Sequence, residues 1–317
     1  MDVVWREVWL EVGWGRLAAK TCITGGSQEA VDVRLKIVGL HGWMDNANTF
    51  DTLIPLLPAG LEVLVVDFPG HGYSDHLPSG AQHSIISYVT NLYMGLHKYG
   101  WDRYVLMGHS LGGTVAVYYT ALFPECVLAL MNVDIIGPRA IDNDVSTWRK
   151  QVAGLIKTEE QDKEKNPVYS EEKALERLIK SRRGIDDITN IDEDAANILL
   201  PRSACQVENG YKWRHDPKAR TVDELFIGGE SFLFAQASIK CPVLLVLAIH
   251  GVYFKRWSHH LDSRVEVFRD NAKWFDMEEV EGGHHVHLSH PERVAPILTR
   301  FIKKVLQSEL DPPRSKL

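Results

Sequence analysis

Ser110 stands in the run Gly108-His109-Ser110-Leu111-Gly112-Gly113, between the apolar stretch "RYVLM" and the segment "TVAVYYTALFPE". A serine hydroxyl is a weak nucleophile at neutral pH. It attacks a carbonyl only when a base takes its proton and an acid orients that base. The G-x-S-x-G spacing suits such a serine: a sharp strand-to-helix turn holds it strained, and the flanking glycines let strand and helix approach. A small-residue packing turn would give the same five letters. The strand-like run before it and the helical run after it favour presentation of the hydroxyl.

The segment "VEGGHHVHLSHPERVAP" supplies four imidazoles, His284, His285, His287 and His290. His284 is the assigned base, because it follows Gly282-Gly283 directly, where the chain leaves a strand-like run. His287 is the alternative, with packing or support of the base as its other role. An oxyanion needs two N–H groups aimed at the developing charge. Leu111, at the start of the helical run, is expected to give one. Trp43 in "LHGWMDN" is expected to give the other, with Gly42 clearing the space. Gly42 could equally be a tight turn and Trp43 a core aromatic. The histidines form no HExxH pattern, so no metal is expected. Neither "GHGYSD" nor "GGTVAV" makes a G-x-G-x-x-G turn, so no cofactor is expected either.

The elements that must position these residues follow from hydrophobic periodicity. "VVWREVWLEV" and "WGRLAAKTC" alternate like two antiparallel strands joined at Gly13-Trp14-Gly15. "RLKIVGLHG" and "LEVLVVDFPG" lack strict alternation, as strands covered on both faces do. "NTFDTLIPLLPAG" between them reads as a helix closed by Pro58 and Gly60. "SIISYVTNLYMGLHKYG" has helix spacing, with Ser84 as cap and Gly100 as stop. Strand "RYVLMGH", helix "GGTVAVYYTALFP" and strand "VLALMNVD" follow, and "CPVLLVLAI", "KWFDMEEVEG" and "PERVAPILTRFIKKVLQSEL" close the chain with two strands and a helix. Strands alternating with helices predict an α/β fold, with a mostly parallel eight-stranded sheet flanked by helices. From about Gly137 to Ile239 charged helices with narrow apolar faces interrupt it. The expected organisation is a core of residues 1–137 and 238–317, with a helical cap of residues 138–237 inserted over one end.

Composition narrows the class of partner. Of 317 residues, 45% are hydrophobic and 24% charged, ordinary proportions for a globular chain. A net charge of −7 argues against nucleic acid, which needs a basic face. No apolar run reaches the roughly 18 residues of a membrane span. Cys22, Cys126, Cys205 and Cys241 are scattered without CxxC spacing and read as reduced thiols. The sequence closes on Ser315-Lys316-Leu317, a peroxisomal import address, which predicts an import receptor as partner.

The motifs "HGW", "DFPGHGYSD", "GHSLGG" and "GGHHVHLSHPE", in this order, resemble the α/β-hydrolase fold superfamily over nearly the full chain. Within it, "HGWMDNANTFDTLIPLLP", "WRHDP", "VLLVLAIHGVYF" and the histidine loop look like the serine hydrolase-like proteins, a family associated with peroxisomes. Many relatives carry an aspartate after the strand "PVLLVL". Here that stretch is Ala248-Ile249-His250-Gly251, with no carboxylate. Some α/β-hydrolases place the acid one strand earlier, where this sequence has Asp134, and Asp134 is assigned as the orienting acid. A turn or capping aspartate is the alternative reading. Asp262 and Asp270 are outside candidates, and Asp67 is expected to brace a loop.

The resemblance implies a hydrolase that cleaves a carboxylic ester or thioester of an apolar substrate through an acyl-serine. Relatives with an aspartate nucleophile, haloalkane dehalogenases and epoxide hydrolases, are excluded by Ser110. The rival is a binding protein on the same scaffold, for which the missing loop acid argues. Trp148, Leu155, Phe226, Phe232 and Phe234 are candidate pocket residues of the cap, or equally its core.

Overall fold

A computed structural model describes residues 3–25, 33–137, 145–160, 167–182, 191–221, 229–252 and 258–310. Ser315, Lys316, Leu317, Phe226 and the side chain of Trp148 lie outside the described residues.

Strands β1 (Arg6–Val12) and β2 (Gly15–Ile23) form the predicted edge hairpin. β3 (Leu35–Leu40), β4 (Leu61–Val66), helix α1 (Ile85–Tyr99), β5 (Tyr104–His109), helix α2 (Leu111–Leu122) and β6 (Val127–Val133) follow. After helices α3 (Val145–Glu160), α4 (Glu171–Ser181) and α5 (Glu193–Ser203) come the short strands β7 (Ala204–Val207) and β8 (Gly210–Trp213). The chain then runs through α6 (Gly229–Ala237), β9 (Val243–Ala248), α7 (Ser258–Asn271), β10 (Phe275–Val280), α8 (Val286–Ser289) and α9 (Pro291–Leu310).

Eight strands make one sheet in the order β1-β2-β4-β3-β5-β6-β9-β10. β2 runs antiparallel to both its neighbours, and all the other pairs are parallel. The central strands are mostly apolar and lack strict alternation because both faces are covered. One face packs against α1, α2, α6 and α7, the other against α9 and the segment around Phe50 and Leu53. α1 begins where the Ser84 hydroxyl accepts the Ser87 N–H, and ends at Gly100, whose φ of 83° is the left-handed conformation glycine adopts freely.

Two expectations meet a different outcome, and one helix was not expected. The helix expected over "NTFDTLIPLLPAG" is two short 3-10 turns, Ala47–Phe50 and Ile54–Leu56. Pro55 and Pro58 lack the N–H groups a continuous helix needs. The inserted segment contains the β7–β8 hairpin besides helices, and α7 has no counterpart in the periodicity.

A small cluster of Leu178, Ala195, Leu199, Leu200 and Ala204 joins α4 and α5 and reaches Leu288 of the core. Polar links hold these helices over the loop after β3. Asn46 Nδ2 donates to the Leu199 carbonyl (3.1 Å) and the Ser203 hydroxyl (2.9 Å). Arg202, almost fully buried, donates to Asp67 at 2.7 Å and to both carboxylate oxygens of Glu7. α6 packs instead on α2 and α7, with Phe232 edge-on to Tyr118 in the main core.

Candidate active site

Ser110 sits between β5 and α2 with φ 51° and ψ −121°, a conformation that non-glycine residues rarely hold. The two glycines of the motif have separate steric reasons. A Cβ on Gly108 would lie 2.5 Å from the Gly113 backbone, and one on Gly112 would lie 2.1 Å from the Leu40 carbonyl oxygen. Strand, helix and the end of β3 therefore converge behind the serine.

The structure brings Ser110, His284 and Asp134 together. His284 Nε2 is 2.9 Å from Ser110 Oγ, and its Nδ1 donates to Asp134 Oδ2 at 2.6 Å. Asp134, just past β6, is fully buried with φ 48°. Its carboxylate also accepts the Ala248 N–H (3.0 Å) and the Val252 N–H (3.2 Å). Both donors flank the loop that carries no acid, and a Cβ on Gly251 of that loop would lie 2.2 Å from Asp134 Oδ1. The loop after β9 thus supplies backbone donors and empty space in place of a carboxylate. His250 turns away to Glu281, 2.9 Å distant.

The remaining candidates fall elsewhere. His287 is buried, with Nε2 2.8 Å from the Thr49 hydroxyl, and burial pushes it down to about 3. His290 lies at the start of α9, 3.7 Å from Glu292. Asp262 and Asp270 are exposed on α7, away from the imidazole. Asp67 accepts the Ala47 and Tyr73 N–H groups and the Arg202 guanidinium, and so joins three loops.

Two histidines that the sequence left unassigned hold the loop "HGWM". His41 Nδ1 donates to the Gly42 carbonyl and its Nε2 accepts the Phe68 N–H. His71 Nδ1 donates to the Pro69 carbonyl and its Nε2 accepts the Met44 N–H at 3.3 Å. Both are held neutral by burial. They brace Trp43 and Met44 beside the serine; a Cβ on Gly42 would stand 3.3 Å from Ser110 Cβ. Trp43 is no core aromatic: it is half exposed, and its indole N–H donates to the Ala219 carbonyl at 2.9 Å. Among the described residues, neither the Trp43 nor the Leu111 backbone N–H has a protein acceptor.

His109 donates from Nε2 to the His284 carbonyl at 2.9 Å, which fixes the backbone of the base. Its Nδ1, the His285 Nδ1 and Asp45 Oδ2 are buried without a hydrogen-bond partner among the described residues, though His285 Nε2 stands 3.7 Å from Asp45 Oδ2. Asp45, His109 and His285 each offer a donor atom within 4.8 Å of the others, the geometry in which a metal could be held. The Arg182 guanidinium, 3.1 Å from Asp45, already matches that carboxylate's charge and repels a cation.

Over Ser110 opens a cavity of about 520 Å3, floored by Gly42, Ser110 and His284 and walled by Trp43, Met44, Leu178, Trp213 and Val252. Phe226 and the Trp148 side chain lie outside the described residues, and none of the other three expected pocket residues lines it. Phe232 is core, Phe234 is exposed, and Leu155 stands outside the cavity wall.

Residues 37–291 match the model of the alpha/beta hydrolase fold family. The chain belongs to the α/β-hydrolase fold family. This α/β-hydrolase is 33% identical over 306 residues to a probable serine hydrolase of Drosophila melanogaster, covering 95% of this chain and 88% of that one. It is 32% identical over 302 residues to a serine hydrolase-like protein of Danio rerio, covering 94% and 88%. Among solved structures it is similar to the hypothetical protein PA1622 of Pseudomonas aeruginosa PAO1, with TM-score 0.78, 29% identity, and 94% and 99% of the two chains covered.

Proposed function

We propose that the protein is a serine hydrolase that cleaves a carboxylic ester or thioester with an apolar acyl chain. His284 takes the Ser110 proton as the hydroxyl attacks the carbonyl, and Asp134 holds the imidazolium. The Trp43 and Leu111 N–H groups receive the oxyanion. Collapse breaks the bond to the alcohol or thiol, which leaves with the proton from His284. An acyl-serine remains, and water activated by the neutral His284 releases the acid. The acyl chain lies against Trp43, Met44, Leu178, Trp213 and Val252.

The observation that carries this reading is the continuous hydrogen-bonded line from Ser110 Oγ through His284 to the buried Asp134 carboxylate. It also meets the argument for a non-catalytic binding protein, which rested on the loop after β9 having no acid. The test is hydrolysis of 4-nitrophenyl esters across chain lengths by wild type, Ser110→Ala and Asp134→Asn. The reading expects activity lost in the first and cut by orders of magnitude in the second. Turnover that survives Ser110→Ala would end it.

Ser315-Lys316-Leu317 carries a second part of the proposal, recognition by the peroxisomal import receptor. A fluorescent protein fused ahead of the chain should enter peroxisomes only while the tripeptide is present. Equal distribution with and without it would contradict the assignment.

A further inference from the structure

The cavity over Ser110 has an apolar wall, but Arg177, Arg182, Arg220 and His215 also line it. Among the described residues Asp45 is the lone carboxylate lining it, and Arg182 already engages it at 3.1 Å. Arg177 lies over the Tyr169 ring at 4.7 Å, and Arg220 donates to His215 Nε2 at 3.2 Å. Among the described residues neither is ion-paired.

Arg182 is held differently. Its side chain is 6% exposed, and its Nη1 and Nη2 donate to the Leu178 and Met44 carbonyls, the Ser181 hydroxyl and Asp45. Its Nε–H is buried with no acceptor among the described residues. A buried donor left unpaired carries a desolvation cost that a ligand oxygen would relieve. Burial pushes His215 down to about 4, and the charges of Arg220, His76 and Arg182 add to that.

We propose that Arg177, Arg182 and Arg220 form an anion subsite, so that the natural ester or thioester carries a carboxylate or phosphate group. The subsite deepens the hydrolase reading of Ser110 and rests on it for the reacting bond. Guanidinium pairs a carboxylate or phosphate through directed N–H bonds. Arg182 offers them from a buried side chain, Arg177 and Arg220 from exposed ones. Both ends of a substrate can supply such a group. A dicarboxylic half-ester carries it at the far end of the acyl chain, and a coenzyme A thioester carries phosphates in its leaving group.

The experiment is calorimetric titration of the Ser110→Ala protein with matched six-carbon probes. Monomethyl adipate is compared with methyl hexanoate, and hexanoyl-coenzyme A with the hexanoyl thioester of N-acetylcysteamine. The anionic probe of at least one pair should bind ten times more tightly or better. Preference in the carboxylate pair alone places the anion at the acyl end, and preference in the thioester pair alone places it in the leaving group. Adding Arg177→Gln and Arg220→Gln should bring the preferred pair within threefold of each other. Raising sodium chloride on the unmodified-arginine protein should weaken only the anionic probe, which decides the matter if the double substitution does not fold.

Equal binding within both pairs, or a preference that survives the double substitution and high salt, overturns the subsite. A fluorophosphonate label on wild-type Ser110 reports separately on the hydrolase reading. Labelling without anion preference removes the subsite alone. Anion preference without labelling removes the hydrolase reading and leaves the subsite standing.

Discussion

Gly251→Ala tests the carboxylate assignment without touching any reacting residue. The added Cβ would sit 2.2 Å from Asp134 Oδ1 and 2.3 Å from Oδ2. Gly251 is outside the left-handed region, so alanine brings no backbone strain and the effect is steric. Contact must open from 2.2 Å to at least 3.0 Å, by moving either the carboxylate or the loop whose flanking N–H groups bind it. Either shift lengthens or misdirects the 2.6 Å bond to His284. A misplacement of about 1 Å in a catalytic array costs about 100-fold in rate, equivalent to about 2.7 kcal/mol of transition-state stabilisation. The assay is kcat/KM for a short 4-nitrophenyl ester together with a thermal melt. The loss should fall on kcat. Gly154→Ala on α3, where a Cβ meets no atom nearer than 3.6 Å, is the control and should leave kcat/KM unchanged. A folded Gly251→Ala protein with wild-type kcat/KM would refute the claim that Asp134 orients the base.

Arg202→Met leaves the buried Asp67 carboxylate without its cation, which should destabilise the protein by about 3–5 kcal/mol in denaturant melts. A loss under about 1 kcal/mol would show that Asp67 is satisfied by backbone donors alone. Acid should unfold the protein early. His287, held at about 3, and His215, held at about 4, stay neutral in the folded state at pH 5, while the unfolded chain binds protons below its ordinary value of about 6.5. Both folded values are depressed, so stability falls as pH falls from about 6.5 toward 4, by up to about 1.4 kcal/mol per pH unit for each histidine. Melting temperatures at pH 7, 6 and 5 should show this fall, and His287→Gln should make it shallower. A flat profile would contradict the neutral, buried state of these rings.

The nucleophile turn was legible because its chemistry is local: two glycines with close backbone neighbours and a serine at the strand-to-helix junction fit within a few residues. Asp134 was reached through the resemblance, from relatives that carry the acid one strand earlier; in the structure β6 neighbours β5 and ends level with it. The role of the loop after β9 was not, because Gly251 acquires its meaning only when the chain folds back onto Asp134. His41 and His71 share a related cause: each bridges two loops distant in sequence. His71 of "DFPGHGYSD" and His41 of "HGW" were quoted only as motif letters. The 3-10 turns at Ala47–Phe50 and Ile54–Leu56 were hidden by apolar residues that match helix spacing despite the prolines. Phe232 looked like a pocket residue because aromatic type says nothing of which layer a helix joins. Arg177 on α4 and Arg182 at its end are far in sequence from Arg220 beyond β8, and they meet only in the fold, where α4 packs on β8.

The most direct test of the central claim is covalent labelling of the intact protein with a fluorophosphonate, mapped by mass spectrometry. One modified peptide carrying Ser110 is expected, with no label in Ser110→Ala and labelling slowed at least 100-fold in His284→Ala. A folded wild-type protein that takes no label at Ser110, or takes it as fast without His284, would contradict an activated serine at this site.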